Sequence, residues 1–180
     1  GNDTNSTSSL SSGAGNTPSA SAGLFVVGDF VGLACDTLYA TGGGATLTEI
    51  GVINTNTATA NVIGTQLFIS FASARDPQTG LLYYIEALTS NPQLAYFDLS
   101  DNTNHLVATT NIPSNTIVRA GFRKDGKLFT MDANTGELYA LNKTTGQIIH
   151  NYGYVQSVVI PGSGDLAFDI DDYMWLFAGG

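Results

Sequence analysis

A unit of four short β-rich runs recurs about every 45 residues along this 180-residue chain, and that recurrence restricts the fold more than any other feature. Counted from the second run of each copy, the units open at Leu38-Tyr39-Ala40-Thr41, Leu82-Tyr83-Tyr84-Ile85 and Leu128-Phe129-Thr130-Met131, and a fourth copy begins at Asp165. Val, Ile, Thr, Tyr and Phe fill the runs, and Gly, Asn and Asp separate them. No stretch from Leu24 onward keeps a helical period over three turns, so the chain reads as all-β without a substantial helix.

The third copy is the clearest. Runs at 118–123, 127–132, 137–142 and 147–152 are separated by Lys124-Asp125-Gly126, Ala133-Asn134-Thr135-Gly136 and Lys143-Thr144-Thr145-Gly146. Asp-Gly and Asn-Thr-Gly supply the left-handed residues that tight antiparallel turns need. The second copy places runs at 67–74, 81–87, 94–99 and 105–109, and the first at 31–35, 38–41, 47–54 and 59–63. The fourth supplies runs at 166–170 and 173–177 around Asp171-Asp172. Four strands in up-and-down order make one sheet per copy, with Tyr39, Tyr83, Phe129 and Trp175 falling early in the second strand. Aromatic residues at one repeated position are expected between stacked sheets.

Three stretches resemble the repeats of secreted bacterial β-propellers of the NHL and YVTN types. They are Ile53-Asn54-Thr55-Asn56-Thr57 with Ala60-Asn61-Val62-Ile63-Gly64, Asp76-Pro77-Gln78-Thr79-Gly80-Leu81-Leu82-Tyr83, and Leu138-Tyr139-Ala140-Leu141-Asn142-Lys143-Thr144-Thr145-Gly146. The resemblance covers residues 31–180 and implies an array of about three and a half four-stranded blades, at 31–64, 67–110, 117–153 and a partial 165–180. Since propellers close with four blades or more, it implies an incomplete ring. A longer gene, a strand at 24–27 lying beside the final blade, and assembly of chains are three ways to complete it. Such propellers include adhesion modules, surface proteins and a minority of enzymes, so the resemblance speaks to architecture far more than to activity.

Composition bounds the partners. Residues 1–23 contain one Leu and no aromatic residue, too little apolar area to offset the entropy of ordering, and read as a disordered Ser/Thr/Asn/Gly-rich tether before a domain at 24–180. The tether is similar to the spacer that follows the acylated cysteine of bacterial lipoproteins, which implies a lipid anchor upstream of Gly1; a tagged expression product is the rival reading. Only 12% of residues are charged and the net charge is −9, which disfavours nucleic acid as a partner. Four of the six basic residues, Arg119, Arg123, Lys124 and Lys127, fall in one hairpin and read as a solvated strand pair. No run is long and apolar enough to cross a bilayer. Secretion or cell-surface display suits a polarity carried by Ser, Thr, Asn and Gly.

No catalytic, cofactor-binding or metal-binding set is singled out by the residues. Cys35 is the only cysteine, in an apolar stretch, and reads as a small buried thiol. Asp165, Asp169, Asp171 and Asp172 form the densest acidic run and could furnish oxygens to Ca²⁺, although Asp76, Asp125 and Asp171 share an equivalent turn position that explains them structurally. His105 and His150 fall on outer strands, pointing away from a central channel. Pro161-Gly162-Ser163-Gly164 lacks the strand–elbow–helix setting of a serine nucleophile, and the Asn2, Asn5 and Asn142 sequons are expected by chance in an Asn/Thr-rich chain. Three readings follow. The first is a secreted or surface-displayed interaction module for a protein or glycan. The second is a propeller-class hydrolase or lactonase using Ca²⁺ with Asp169 and Asp171. The third is a structural subunit that self-associates through open edge strands.

Overall fold

The computed structural model describes residues 25–26, 37–42, 48–155 and 163–179. Every element described is a β-strand. The first sheet contains β1 (Phe25–Val26), β2 (Thr37–Thr41), β3 (Glu49–Asn54) and β4 (Thr59–Thr65), and the second contains β5 (Ser70–Arg75), β6 (Leu82–Glu86), β7 (Gln93–Asp98) and β8 (Thr103–Thr109). The third contains β9 (Ile117–Phe122), β10 (Leu128–Asp132), β11 (Glu137–Leu141) and β12 (Ile148–Tyr154), and the fourth the hairpin β13 (Ser163–Phe168) and β14 (Met174–Gly179). Within each sheet neighbours in sequence are neighbours in space and antiparallel.

The register makes the repeat physical. Leu82 pairs with Phe97 and Tyr84 with Ala95 in the second sheet, as Leu38 pairs with Ile53 and Ala40 with Gly51 in the first. Because side chains alternate, each sheet has two apolar faces that it must cover. The leading face of each sheet packs on the trailing face of the one before. Leu82, Tyr84, Ala95 and Phe97 meet Tyr39 and Ile63 of the first sheet. Leu128, Tyr139 and Leu141 meet Tyr83, Ile85 and Leu94 of the second. Leu166, Phe168, Met174 and Leu176 meet Phe129, Met131, Leu138 and Ala140 of the third. The first strands of the second, third and fourth sheets pack against each other in that order. At Gly121 on β9, a Cβ would strike the Leu166 side chain and come within 3.0 Å of its carbonyl oxygen, so a side chain there would force the third and fourth sheets apart.

Several expectations are revised. The run at 31–35, Cys35 included, lies outside the described residues, as do the 1–23 tether and the 161–162 part of the Pro-Gly-Ser-Gly stretch. Phe25 and Val26 do not complete the fourth sheet; they pair with Ala40 and Tyr39, on the edge of β2 that the β2–β3 hairpin leaves open. The run expected from Leu67 enters the sheet only at Ser70, because 66–69 serve as the connection between sheets: the Gln66 N–H donates to Thr48 O and the Leu67 N–H to the Tyr84 hydroxyl. Tyr83 and Phe129 are buried between sheets as expected. Trp175, at the same repeated position, is 57% exposed, because no sheet among the described residues stacks on that face of the fourth sheet.

Candidate functional surface

Up-and-down strands leave two rims, and their chemistry differs. One rim carries the turns from first to second and from third to fourth strand. Here Asp76 is fully buried and accepts from the Gln78 N–H at 3.0 Å, the Thr79 hydroxyl at 2.7 Å and the Lys143 ammonium at 2.6 Å. Lys143 belongs to the next sheet, so this ion pair ties the second sheet to the third. Lys124 repeats the arrangement one sheet on, 3.3 Å from the Asp172 carboxylate and donating to Ile170 O at 3.1 Å. Arg123 and Lys127 both flank Asp125, and the Arg123 hydrogen bond is the chief reason that the Asp125 carboxyl is pulled down to about 2. Each of these four cations has a carboxylate partner, with Arg123 and Lys127 sharing Asp125.

The same matching accounts for the basic hairpin. Lys124 and Lys127 are solvated, as the sequence suggests, but Arg119 is wholly buried on β9, close to Gly164 of β13. Its partner in charge is Asp165, whose carboxyl is raised to about 7 by burial, against the opposing pull of the Leu166 amide and the Arg119 charge. Desolvation lowers the Arg119 guanidinium for the same reason.

The acidic run does not converge. Asp165 stands on β13, whereas Asp169, Asp171 and Asp172 occupy the turn beyond it. Asp169 holds that turn: its Oδ1 accepts from the Asp171 and Tyr173 amides at 3.0 and 2.9 Å, and its Oδ2 from the Trp175 indole at 2.8 Å. The indole bond is the main reason its carboxyl lies below the ordinary range. The carboxylate that organises the turn is therefore Asp169, where sequence position had suggested Asp171. Among the described residues no three His, Cys, Asp or Glu side chains gather where they could share a metal ion.

Asp76 belongs to a different set from Asp125 and Asp171. Asn54, Asp76, Asp98, Asp132 and Asn142 each accept, through the side chain, the amide two residues on, at 2.7 to 3.0 Å. Four residues on, Ala58, Gly80, Asn102, Gly136 and Gly146 all have φ between 54° and 79°. This is one turn used five times. In three of the five its signal in the sequence is an Asp or Asn four residues before a Gly, a spacing that the grouping by strand position passed over; Ala58 and Asn102 take the glycine's place in the other two. In Asn142 the same geometry engages the sequon side chain with the Thr144 and Thr145 amides.

The opposite rim carries the second-to-third strand turns and the connections between sheets, and its exposed part is largely uncharged. Its buried acid, Asp132, is occupied: it accepts from the hydroxyls of Ser114 and Thr116 and from the amides of Asn134 and Thr135. Burial alone would raise its carboxyl, and these donors more than reverse that. The loop 87–92, Ala-Leu-Thr-Ser-Asn-Pro, is braced on both sides. Ala87 N–H donates to Ile69 O at 2.8 Å, Leu88 N–H to Asn115 O at 3.1 Å, and Pro92 O accepts from Thr110 N–H at 2.9 Å. Leu88 nonetheless sits at φ 66° with its side chain 63% exposed, and Leu67, in the adjoining connection, is 53% exposed. A branched apolar residue in the left-handed region costs on the order of 1–2 kcal/mol, and its apolar side chain gains nothing here from burial. Sequence reading missed both leucines, because their exposure depends on where the connections run.

The histidines lie where expected. His105 on β8 stacks on Tyr96 with ring centroids 4.8 Å apart, and His150 on β12 meets Tyr152 edge-on. Ser163 begins β13, within a strand.

No known protein-family profile matches the chain, and no curated protein matches it. Solved structures do. An auxiliary nutrient binding protein from Bacteroides ovatus superimposes over 81% of this chain and 33% of its own, with 10% identity and a TM-score of 0.58. A related description, an auxiliary nutrient binding protein from Bacteroides thetaiotaomicron, applies to a structure matching 79% of this chain and 40% of its own, with 11% identity and a TM-score of 0.55. A chain of a nidogen/laminin complex matches 79% of this chain and 51% of its own, at 15% identity and a TM-score of 0.53. The chain thus spans between a third and half of these neighbours. Similarity at this identity concerns the fold: four-stranded antiparallel sheets stacked in an open, propeller-like arc.

Proposed function

We propose that this chain is a binding module of the NHL/YVTN propeller type that works outside the cytoplasm, on the cell surface or secreted, and engages an uncharged protein or glycan ligand through its neutral rim. The observation that carries the reading is Leu88, an exposed apolar side chain fixed in a costly backbone conformation by hydrogen bonds to two separate connections. Strain held in place by the surrounding structure is a recurrent mark of ligand-contacting positions. The neighbouring Leu67 and the surrounding Asn, Ser and Thr residues extend the surface with hydrogen-bonding groups that carry no charge. The opposite rim is less suited to ligands, since its lysines and Arg123 are already engaged by carboxylates. The neighbours described as nutrient binding proteins support a binding role for such sheets.

The test is a paired array of neutral oligosaccharides and extracellular-matrix or cell-surface proteins, probed with the chain and with its L67S and L88S variants. The expected result is retention of one ligand class that changes little between low and high salt, because no ion pair is involved, and that each variant weakens severalfold while far-UV circular dichroism is unchanged. Retention unaffected by both substitutions, or retention lost in salt, would place binding elsewhere.

A further inference from the structure

Each of the two exposed leucines on the neutral rim stands next in sequence to a polar side chain that is shielded from water and has no partner among the described residues. Gln66, beside Leu67, is 5% exposed, and neither its Oε1 nor its Nε2 meets a hydrogen-bonding atom. Thr89, beside Leu88, has its Oγ1 buried in the same condition. The backbone around them is tied down: the Gln66 N–H donates to Thr48 O at 2.5 Å, the Leu67 N–H to the Tyr84 hydroxyl at 3.1 Å and the Leu88 N–H to Asn115 O at 3.1 Å. The equivalent position one sheet on shows the contrast. Thr110, whose N–H donates to Pro92 O as that of Gln66 does to Thr48 O, is also buried, but its hydroxyl accepts from the Ile112 N–H at 3.4 Å. Buried polar groups are nearly always paired, because an unpaired one forfeits its hydration for nothing. Two such groups beside two exposed apolar side chains define a surface that a ligand completes by bringing both hydrogen bonds and apolar area.

Resting on the neutral-rim reading above, we infer that the ligand is an uncharged peptide segment of a protein, with an apolar side chain seated on Leu67 and Leu88 and a backbone amide paired with the Gln66 carboxamide. The carboxamide accepts through Oε1 and donates through Nε2, and a peptide group presents one N–H and one C=O, so the two form reciprocal hydrogen bonds. The Thr89 hydroxyl, donor and acceptor at once, takes a further backbone group of the ligand. Rotation about the Gln66 side-chain torsions presents the amide while its backbone stays tied to Thr48. A glycan fits this surface less well. The C–H face of a sugar is held by an aromatic ring, whereas the exposed large apolar side chains of 66–69 and 87–92 are the two leucines. Phe68, the one aromatic residue in these segments, is committed to Tyr84, with ring centroids 5.1 Å apart. Gln66, Leu67, Leu88 and Thr89 carry no charge, so they supply no counter-ion to a charged ligand group that they desolvate.

The probes are immobilised short peptides of Ser, Asn and Gly with Leu, Phe or Ala at the centre, the same peptides with one central amide replaced by an ester, which removes its N–H, and neutral oligosaccharides of glucose, mannose and xylose. They are tested against the whole chain and its L67S, L88S and Gln66→Leu variants. The expected result is retention of the Leu- and Phe-centred peptides over the Ala-centred ones and over the oligosaccharides. The ester should weaken retention severalfold in the wild type and little in Gln66→Leu, which has already lost the partner. Gln66→Leu should itself bind the amide peptides about tenfold more weakly, as two neutral hydrogen bonds imply, with a melting temperature no lower than that of the wild type, since the amide makes no contact in the free chain. Retention of oligosaccharides alone, sensitive to L67S and L88S, overturns the inference and leaves the neutral-rim reading standing. Peptide retention indifferent to L67S and L88S overturns both. Retention of no peptide, an ester effect equal in wild type and Gln66→Leu, or a Gln66→Leu chain that binds normally or melts lower each overturns the inference, the last by showing that the amide serves the fold through an ordered water.

Discussion

Ala58 holds φ at 54° in a turn whose four counterparts place Gly80, Asn102, Gly136 or Gly146 at that position. An alanine Cβ in the left-handed region costs on the order of 1 kcal/mol relative to glycine. Ala58→Gly should therefore raise the melting temperature by roughly 2–4 °C in a chain of this size, whereas Asn102→Gly should change it little, since Asn tolerates this conformation. A thermal melt of the two variants checks both. Asp165 gives a pH dependence. Its folded carboxyl is raised to about 7 from 3.8, so between those values the folded chain holds a proton that the unfolded chain has released. Stability is then highest below the unfolded value and falls as pH rises toward 7. Denaturant melts should show that slope in the wild type and a flatter curve for Asp165→Asn. Asp132 acts in the opposite sense, its depressed carboxyl adding stability that is lost as pH drops below its ordinary range. These shifts were not legible in the sequence, because the fold sets them: burial for Asp165, against the opposing charge of Arg119, and donors such as the distant Ser114 for Asp132.

At the scale of strands and sheets the sequence was largely legible. Turns at Lys124-Asp125-Gly126 and Ala133-Asn134-Thr135-Gly136 bound β10 within one residue of the expected run, because glycine and asparagine mark left-handed turns wherever they fold. Where local chemistry gave no such mark the reading slipped. The connection 66–69 is as apolar as a strand, and only its hydrogen bonds to Thr48 and Tyr84 set it apart. The ties between sheets were equally hidden, since Asp76 and Lys143 stand 67 residues apart. Removing the lysine leaves a fully buried carboxylate without its cation, which typically costs about 3 kcal/mol. Lys143→Met should show a loss of that order in urea unfolding. Lys143→Met combined with Asp76→Asn should recover part of it, giving a coupling energy clearly different from zero.

For the whole molecule, the repeat explains the fold through one recurring contact and leaves function to the rims. The candidate surface was not readable beforehand, because Leu67 and Leu88 resemble core leucines until the connections that carry them are placed. If Leu88 is strained for binding, Leu88→Gly should stabilise the chain by about 1 kcal/mol while weakening capture of the ligand found on the array. Lower stability in that variant would show that the leucine serves packing. The stacking of sheets in chain order underlies every other statement, and its most direct test is the nuclear Overhauser contact between the rings of Phe129 and Phe168, which lie in successive sheets with centroids 4.8 Å apart. Strong cross-peaks between these two rings, joined by contacts from Leu166 to the Gly121 backbone, are the result expected. Their absence in a folded, well-dispersed spectrum would contradict the stacked array.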